Sequence, residues 1–125
     1  MNICDANVLV ALANDRDSQH AKAKDAIAQL DGPVQIPNGV LVETATVLWR
    51  ISHDAALVSE WVVTLAEKMD IVPETTEIIQ NAIQRYKTEF GQFSLVDCQV
   101  IEWAKTEGAT VLTFDEEIKR ELHKA

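Results

Sequence analysis

The sequence predicts an α/β fold, a three-layer α/β/α sandwich around a short parallel sheet of four or five strands. Three observations predict it. Short apolar runs at residues 2–5, 34–36, 71–73 and 110–113 alternate with longer stretches whose apolar residues recur every three or four positions. Strands alternating with helices imply a parallel sheet covered on both faces. The first and last of these runs are each followed closely by an aspartate, Asp5 and Asp115. By strand polarity both sit at the carboxyl edge of the sheet, where open α/β sheets bind ligands. Finally, 125 residues without internal repeat, low-complexity stretch or linker suit one domain, residues 1–125, with room for a real core.

Taken in order, residues 2–5 form the first strand, and 8–13 begin a short helix capped by Asp5 or Asn7. The polar run 14–17 is a break. Ser18 is the expected N-cap of a second helix with Ala26, Ile27 and Leu30 on one side, stopped by Asp31-Gly32-Pro33. After the strand at 34–36, Pro37-Asn38-Gly39 turns into a helix apolar over most of its circumference, the pattern of a buried helix. Ser52-His53-Asp54 breaks it. Leu57, Val58, Trp61, Val62, Leu65 and Met69 then recur at helical spacing. Beyond the third strand, a helix over 75–90 carries Ile79, Ala82, Ile83, Tyr86 and Phe90 on one face. Gly91 ends it. Ser94 opens the next, with Val96, Val100, Ile101 and Ala104 as its core, and Gly108 stops that one. Residues 116–124 read as a short exposed helix.

Composition narrows the function. Hydrophobic residues make up 47% and charged residues 25%, the balance of a globular protein. No apolar run reaches membrane-spanning length and no signal peptide is evident, so a cytoplasmic location is expected. Cys4 and Cys98 match no zinc spacing and are expected as free, buried residues. His20, His53 and His123 show no ligand spacing and are expected at the surface. Trp49, Trp61 and Trp103 are expected in the core, Trp61 alternatively at a subunit contact. The net charge of −9 is awkward for a protein that handles nucleic acid, and the chain stays acidic without its candidate site acids. Composition alone favours a basic protein partner.

Four acids are candidates for chemistry, and each has a plainer explanation. Asp5 and Asp115 are placed to cap helices. Glu43 lies at helical spacing with Val47 and Ile51 on a helix with little polar face, where an ionised carboxylate needs a partner or a cation; alternatively it is a first-turn acid favoured by the helix dipole. Asp97 completes a capping-box pattern with Ser94, yet shares a face with Ile101 and Ala104. The case rests on joint placement, two acids at strand ends and two near helix N-termini. Mg²⁺ and Mn²⁺ prefer carboxylate and water oxygens, and a few acids from separate elements hold one or two such ions. Without a cation these carboxylates would repel one another.

The residues Asp5-x-Asn7-Val8-Leu9, Glu43-Thr44-Ala45, Ser94-Leu95-x-Asp97 and Leu112-Thr113-Phe114-Asp115 resemble the PIN domain family, from Met1 to about Arg120. In size the chain is similar to the VapC-like toxins of bacterial toxin–antitoxin pairs. The resemblance implies a Mg²⁺- or Mn²⁺-dependent endoribonuclease that acts on RNA, is a homodimer, and is held inactive by an antitoxin. It carries Asp5, Glu43, Asp97 and Asp115 over as the catalytic and metal-binding set, Thr113 as an auxiliary polar residue and Asn7 as a supporting one. Two departures stand out. A fifth short strand, frequent in the family, has no counterpart in the helix-like sequence after Asp115. RNA contacts are few, with Arg50, Arg85, Lys87 and Lys105 as candidates. Among rivals, phosphotransfer through an aspartyl intermediate wants a second acid two residues after Asp5, where Asn7 stands. A non-catalytic scaffold of the same fold would be marked by loss of an acid, and none is lost.

Overall fold

The computed structural model describes residues 1–124. In chain order the elements are β1 (Asn2–Cys4), α1 (Ala6–Ala13), α2 (His20–Ala28), β2 (Val34–Pro37), α3 (Asn38–Ser52), α4 (Ala55–Lys68), β3 (Asp70–Val72), α5 (Thr76–Thr88), α6 (Leu95–Glu107), β4 (Thr110–Leu112) and α7 (Glu116–Leu122). Every strand pairing is parallel. Ile3 lies beside Gln35 and Val111, Ile36 lies beside Ile71, and the order is β3-β2-β1-β4. The chain winds from β1 outward to β3 and then returns to the other side of β1. Strand order therefore reverses between β1 and β4, and a crevice opens at their carboxyl ends. The sheet has four strands among the described residues. The segment after Asp115 is α7, as the missing fifth-strand pattern implies.

Alternate residues of a strand point to opposite faces. Cys4 joins the cluster of Val8 and Leu9 from α1, Ala23 from α2 and Leu65 from α4. Its neighbour Ile3 joins Ile78 from α5 and Trp103 from α6. These two clusters are the interfaces of a three-layer sandwich. Both cysteines are free and buried, and burial pushes the Cys98 thiol up to about 11.

The helix starts follow their side chains. Asp54 caps α4 by accepting from Leu57 N, Thr75 caps α5 by accepting from Ile78 N, and Ser94 with Asp97 forms a full capping box on α6. Helix α2 starts at His20 with Gln19 before it and no side-chain cap, so Ser18 does not have the capping role expected of it. Helix α3 follows Pro37, whose ring carries no acceptor; Glu74, just beyond β3, supplies one to Gly39 N at 2.7 Å. A Cβ on Gly39 would stand 2.7 Å from Gln99 Oε1, so glycine here lets the first turn of α3 approach α6 closely.

Several expectations about faces are corrected. Only Val40, Thr44 and Leu48 of α3 are fully enclosed, while Val42, Trp49 and Ile51 are about half exposed. Trp49 meets His53 edge-on instead of entering the core. On α5 the inward face is Ile78 and Ala82, which turns Ile79, Ile83, Tyr86 and Phe90 outward. Trp61 is partly buried against Val10, Leu48 and Val58. His20 is no plain surface residue, since its Nδ1 lies 2.8 Å from Ala11 O. Helix α7 is not simply exposed, because Ile118 and Glu121 are buried. Arg85, a candidate RNA contact or otherwise a solvated side chain by the sequence, instead faces inward and ties three helices together. Its Nε meets Glu102 at 2.8 Å and its Nη1 meets Glu89 at 3.0 Å and Glu121 at 2.8 Å. No helix among the described residues is long and apolar enough to cross a membrane.

Candidate metal centre

The crevice between β1 and β4 is a cavity of about 530 Å³. Asp5 enters from the end of β1 and is 2% exposed. Its Oδ1 accepts from Ala6 N at 2.8 Å as the cap of α1, and its Oδ2 accepts from Thr113 Oγ1 at 2.8 Å. Glu43 comes from the second turn of α3 and Asp97 from the first turn of α6. One carboxylate oxygen from each of Asp5, Glu43 and Asp97 lies within 4.8 Å of the others. Asp115 lines the same cavity but stands outside that trio. Its Oδ1 is engaged in capping α7, accepting from Glu117 N at 2.9 Å and Ile118 N at 3.2 Å.

Thr113 and Asn7 join these acids into one network. The Thr113 hydroxyl donates to Asp5 and accepts from Asp115 N at 3.1 Å and from Asn7 Nδ2 at 3.3 Å. Asn7 Oδ1 accepts from Phe114 N at 3.1 Å. Both lone pairs and the proton of the buried hydroxyl are thus used. The loop that carries Asp115 is fixed to the strand end that carries Asp5.

Electrostatics make the trio costly when left alone. Burial raises the Asp5 carboxyl above its ordinary value; the bonds from Thr113 and Ala6 hold it down in part, and the charges of Asp97 and Asp115 push it up again. Burial and then the charges of Asp97 and Asp5 raise Glu43. Asp97 is also raised, by burial and by Asp115, against the opposing bonds within the capping box. Close carboxylates of this kind form a hard-oxygen donor set, and a divalent cation relieves both their desolvation and their repulsion. The residues present fit such an ion.

The structure brings together Asp5, Glu43 and Asp97, seats Asp115, Asn7 and Thr113 around them, and adds cavity residues that sequence reasoning missed, Asp17, Gln19 and Phe114 among them. Asp17, Gln19 and Phe114 line the cavity, with Asp17 Oδ1 accepting from Gln19 N at 2.8 Å. In the sequence Asp17 sits in a polar run that signals only a break. Phe114 sits between two candidate residues, which was its only available signal.

Comparison with known proteins agrees with this architecture. No curated protein matches the sequence. Among solved structures, VapC20 of Mycobacterium tuberculosis, described as a sarcin–ricin-loop-cleaving toxin, superposes with a TM-score of 0.82 at 24% identity, over 96% of this chain and 94% of that one. VapBC2 of Rickettsia felis, bound to a DNA fragment from its promoter, gives a TM-score of 0.71 at 15% identity over 95% of this chain and 91% of that one. FitAcB of Neisseria gonorrhoeae gives 0.68 at 15% identity, over all of this chain and 95% of that one. At these identities the likeness is one of fold. The sequence itself matches the PIN domain across residues 3–121, a span that takes in every acid of the cavity. The chain with its 3-2-1-4 parallel sheet and its acids at the strand reversal therefore belongs to the PIN domain family.

Proposed function

We propose that this PIN domain is a divalent-metal-dependent endoribonuclease, the toxin of a toxin–antitoxin pair. The observation that carries the reading is the convergence of Asp5, Glu43 and Asp97, from three separate elements, to within 4.8 Å. These three would hold Mg²⁺ or Mn²⁺, with Asp115 beside them as the fourth acid. A bound ion of this kind supplies polarisation of a phosphoryl oxygen and a water of lowered pKa. The protein's own work is positional. Thr113 opposes the upward push on the Asp5 carboxyl and aims it, the Ser94–Asp97 capping box orients Asp97, and Asn7 ties the Phe114 loop to the start of α1. Glu74 supports the start of the helix that delivers Glu43.

The likeness to a toxin that cleaves the sarcin–ricin loop supports RNA as the substrate class. A cognate antitoxin and a second copy of the chain are the partners that the resemblance to VapC-like toxins implies, and the cytoplasm is where such a pair acts. The test is induced expression in a bacterial host of wild type beside Asp97→Asn at matched levels, reading growth and total RNA. Ser94 still caps α6 and the asparagine oxygen still accepts from Ser94 N, so the fold is retained. Growth arrest with discrete RNA fragments in wild type alone is expected. Equal arrest by both forms refutes this site as the source of toxicity.

A further inference from the structure

The wall of the cavity carries Asp5, Asp17, Glu43, Asp97 and Asp115 and no basic residue. A cation on the trio offsets part of that charge. An RNA strand nevertheless brings one phosphate per nucleotide, and those beside the cut need a donor of their own. Lys22 is the cation that borders this wall, through Phe114. Its Nζ lies 4.7 Å above the centroid of the Phe114 ring, and that ring lines the cavity.

Phe114 is held in register with the acids. Its N–H donates to Asn7, the Thr113 hydroxyl before it donates to Asp5, and Asp115 follows it. The ring also packs against the core cluster that contains Cys4 and Leu9. Lys22 itself is exposed. Among the described residues the ion pairs involve Arg85, Lys119 and Lys124, not Lys22. A lysine that served to neutralise the acids would reach one of them. This one rests on an aromatic face, a weak contact that leaves its three donors free for an incoming anion.

We propose that Lys22, seated on the Phe114 ring that lines the acidic cavity, takes a backbone phosphate of the RNA strand and sets the strand's position over Asp5, Glu43 and Asp97. Phe114 is its positioning residue. The inference rests on the ribonuclease reading and deepens it by naming the cation that sequence reasoning sought among Arg50, Arg85, Lys87 and Lys105.

The test is fluorescence anisotropy with a labelled, mixed-sequence 30-nucleotide RNA in 50–200 mM KCl, with Ca²⁺ replacing Mg²⁺ to slow cutting. Lys22→Ala is expected to weaken binding about five- to tenfold at 100 mM salt, and to flatten the plot of log affinity against log salt by about 0.7, the share of one single-strand phosphate contact. Lys22→Arg keeps both quantities near wild type, because a guanidinium also stacks on the ring and pairs with phosphate. Lys24→Ala, the same loss of charge two residues on, is the control and changes little. Phe114→Leu weakens binding in wild type but adds nothing to Lys22→Ala. Mn²⁺ affinity by calorimetry is unchanged in Lys22→Ala. Equal shifts for Lys22→Ala and Lys24→Ala mean that only net charge matters; they overturn the proposal and leave the ribonuclease reading standing. A wild type that neither binds this RNA nor cuts total RNA overturns both.

Discussion

Glu43→Gln should make the metal-free protein more stable. Glu43 is half-buried, accepts no hydrogen bond within the protein among the described residues, and has oxygens of Asp5 and Asp97 within 4.8 Å. At an effective dielectric of about 20, two unit charges about 4.8 Å apart repel by roughly 3.5 kcal/mol. A Debye length of about 8 Å roughly halves that. Uptake of a proton by one carboxylate limits the cost further, so neutralising Glu43 is expected to gain about 1–2 kcal/mol at pH 7, or roughly 3–10 °C in Tm for a chain of this length. The sign with pH follows from the raised carboxyls of Asp5, Glu43 and Asp97. A carboxyl raised by folding contributes stability that is fully present below its unfolded pKa and is lost as pH rises through its folded pKa. The advantage of the variant should therefore shrink as pH falls from 7 into the ordinary carboxylate range. The assay is thermal unfolding in EDTA and then in excess Mg²⁺, where wild type gains more than the variant because it holds the ion more tightly. A Glu43→Gln protein no more stable than wild type in EDTA at pH 7 refutes the claim that these acids strain one another.

Three further outcomes are expected. Arg85→Met leaves Glu89, Glu102 and Glu121 without their common cation, and the Arg85 side chain is only 14% exposed; the loss should be about 2–4 kcal/mol, seen as a urea midpoint lowered by about 1–2 M, and an unchanged midpoint would show the hub to be idle. Glu74→Ala uncaps α3 and should cost about 1 kcal/mol in thermal unfolding, while Glu74→Gln retains an acceptor and most of the stability; equal losses in the two variants would count against the cap. Thr113→Val removes the donor that holds Asp5 down, so the acid limb of the pH profile for RNA cleavage should move to higher pH, with Thr113→Ser restoring it; an unmoved limb would separate Thr113 from the ionisation of Asp5.

The parts of this structure legible in the sequence are those written in local chemistry. Strand polarity alone placed Asp5 and Asp115 at one edge, and the Ser94-to-Asp97 spacing announced its capping box. The phase of a helix was harder. Helix α3 carries more apolar residues than its buried stripe can hold, so periodicity could not say that Val40, Thr44 and Leu48 face inward while Val42 and Trp49 do not. On α5, Ile78 and Ile79 are adjacent, and only the position of Ile3 and Trp103 decides which one is enclosed. Arg85 was illegible for a different reason. Its partners Glu102 and Glu121 lie 17 and 36 residues away, and no local pattern joins them. The meeting of Lys22 with Phe114 is distant in the same way.

Three of the four acids serve two masters. Asp5 and Asp115 are the N-caps of α1 and α7, and Asp97, inside the first turn of α6, returns the capping-box bond to Ser94 N, each while facing the cavity. Glu43 starts nothing. Selection at the first three therefore acts on folding and on chemistry together, and a descendant that no longer needed the chemistry would still be held to Asp, Asn or Ser at positions 5 and 115 and to a side-chain acceptor at position 97. Glu43 has no such second tether, and its replacement would relieve repulsion. In a lineage drifting away from catalysis, position 43 is the one expected to change first, and the cap residues would persist as a record of a site that had stopped working.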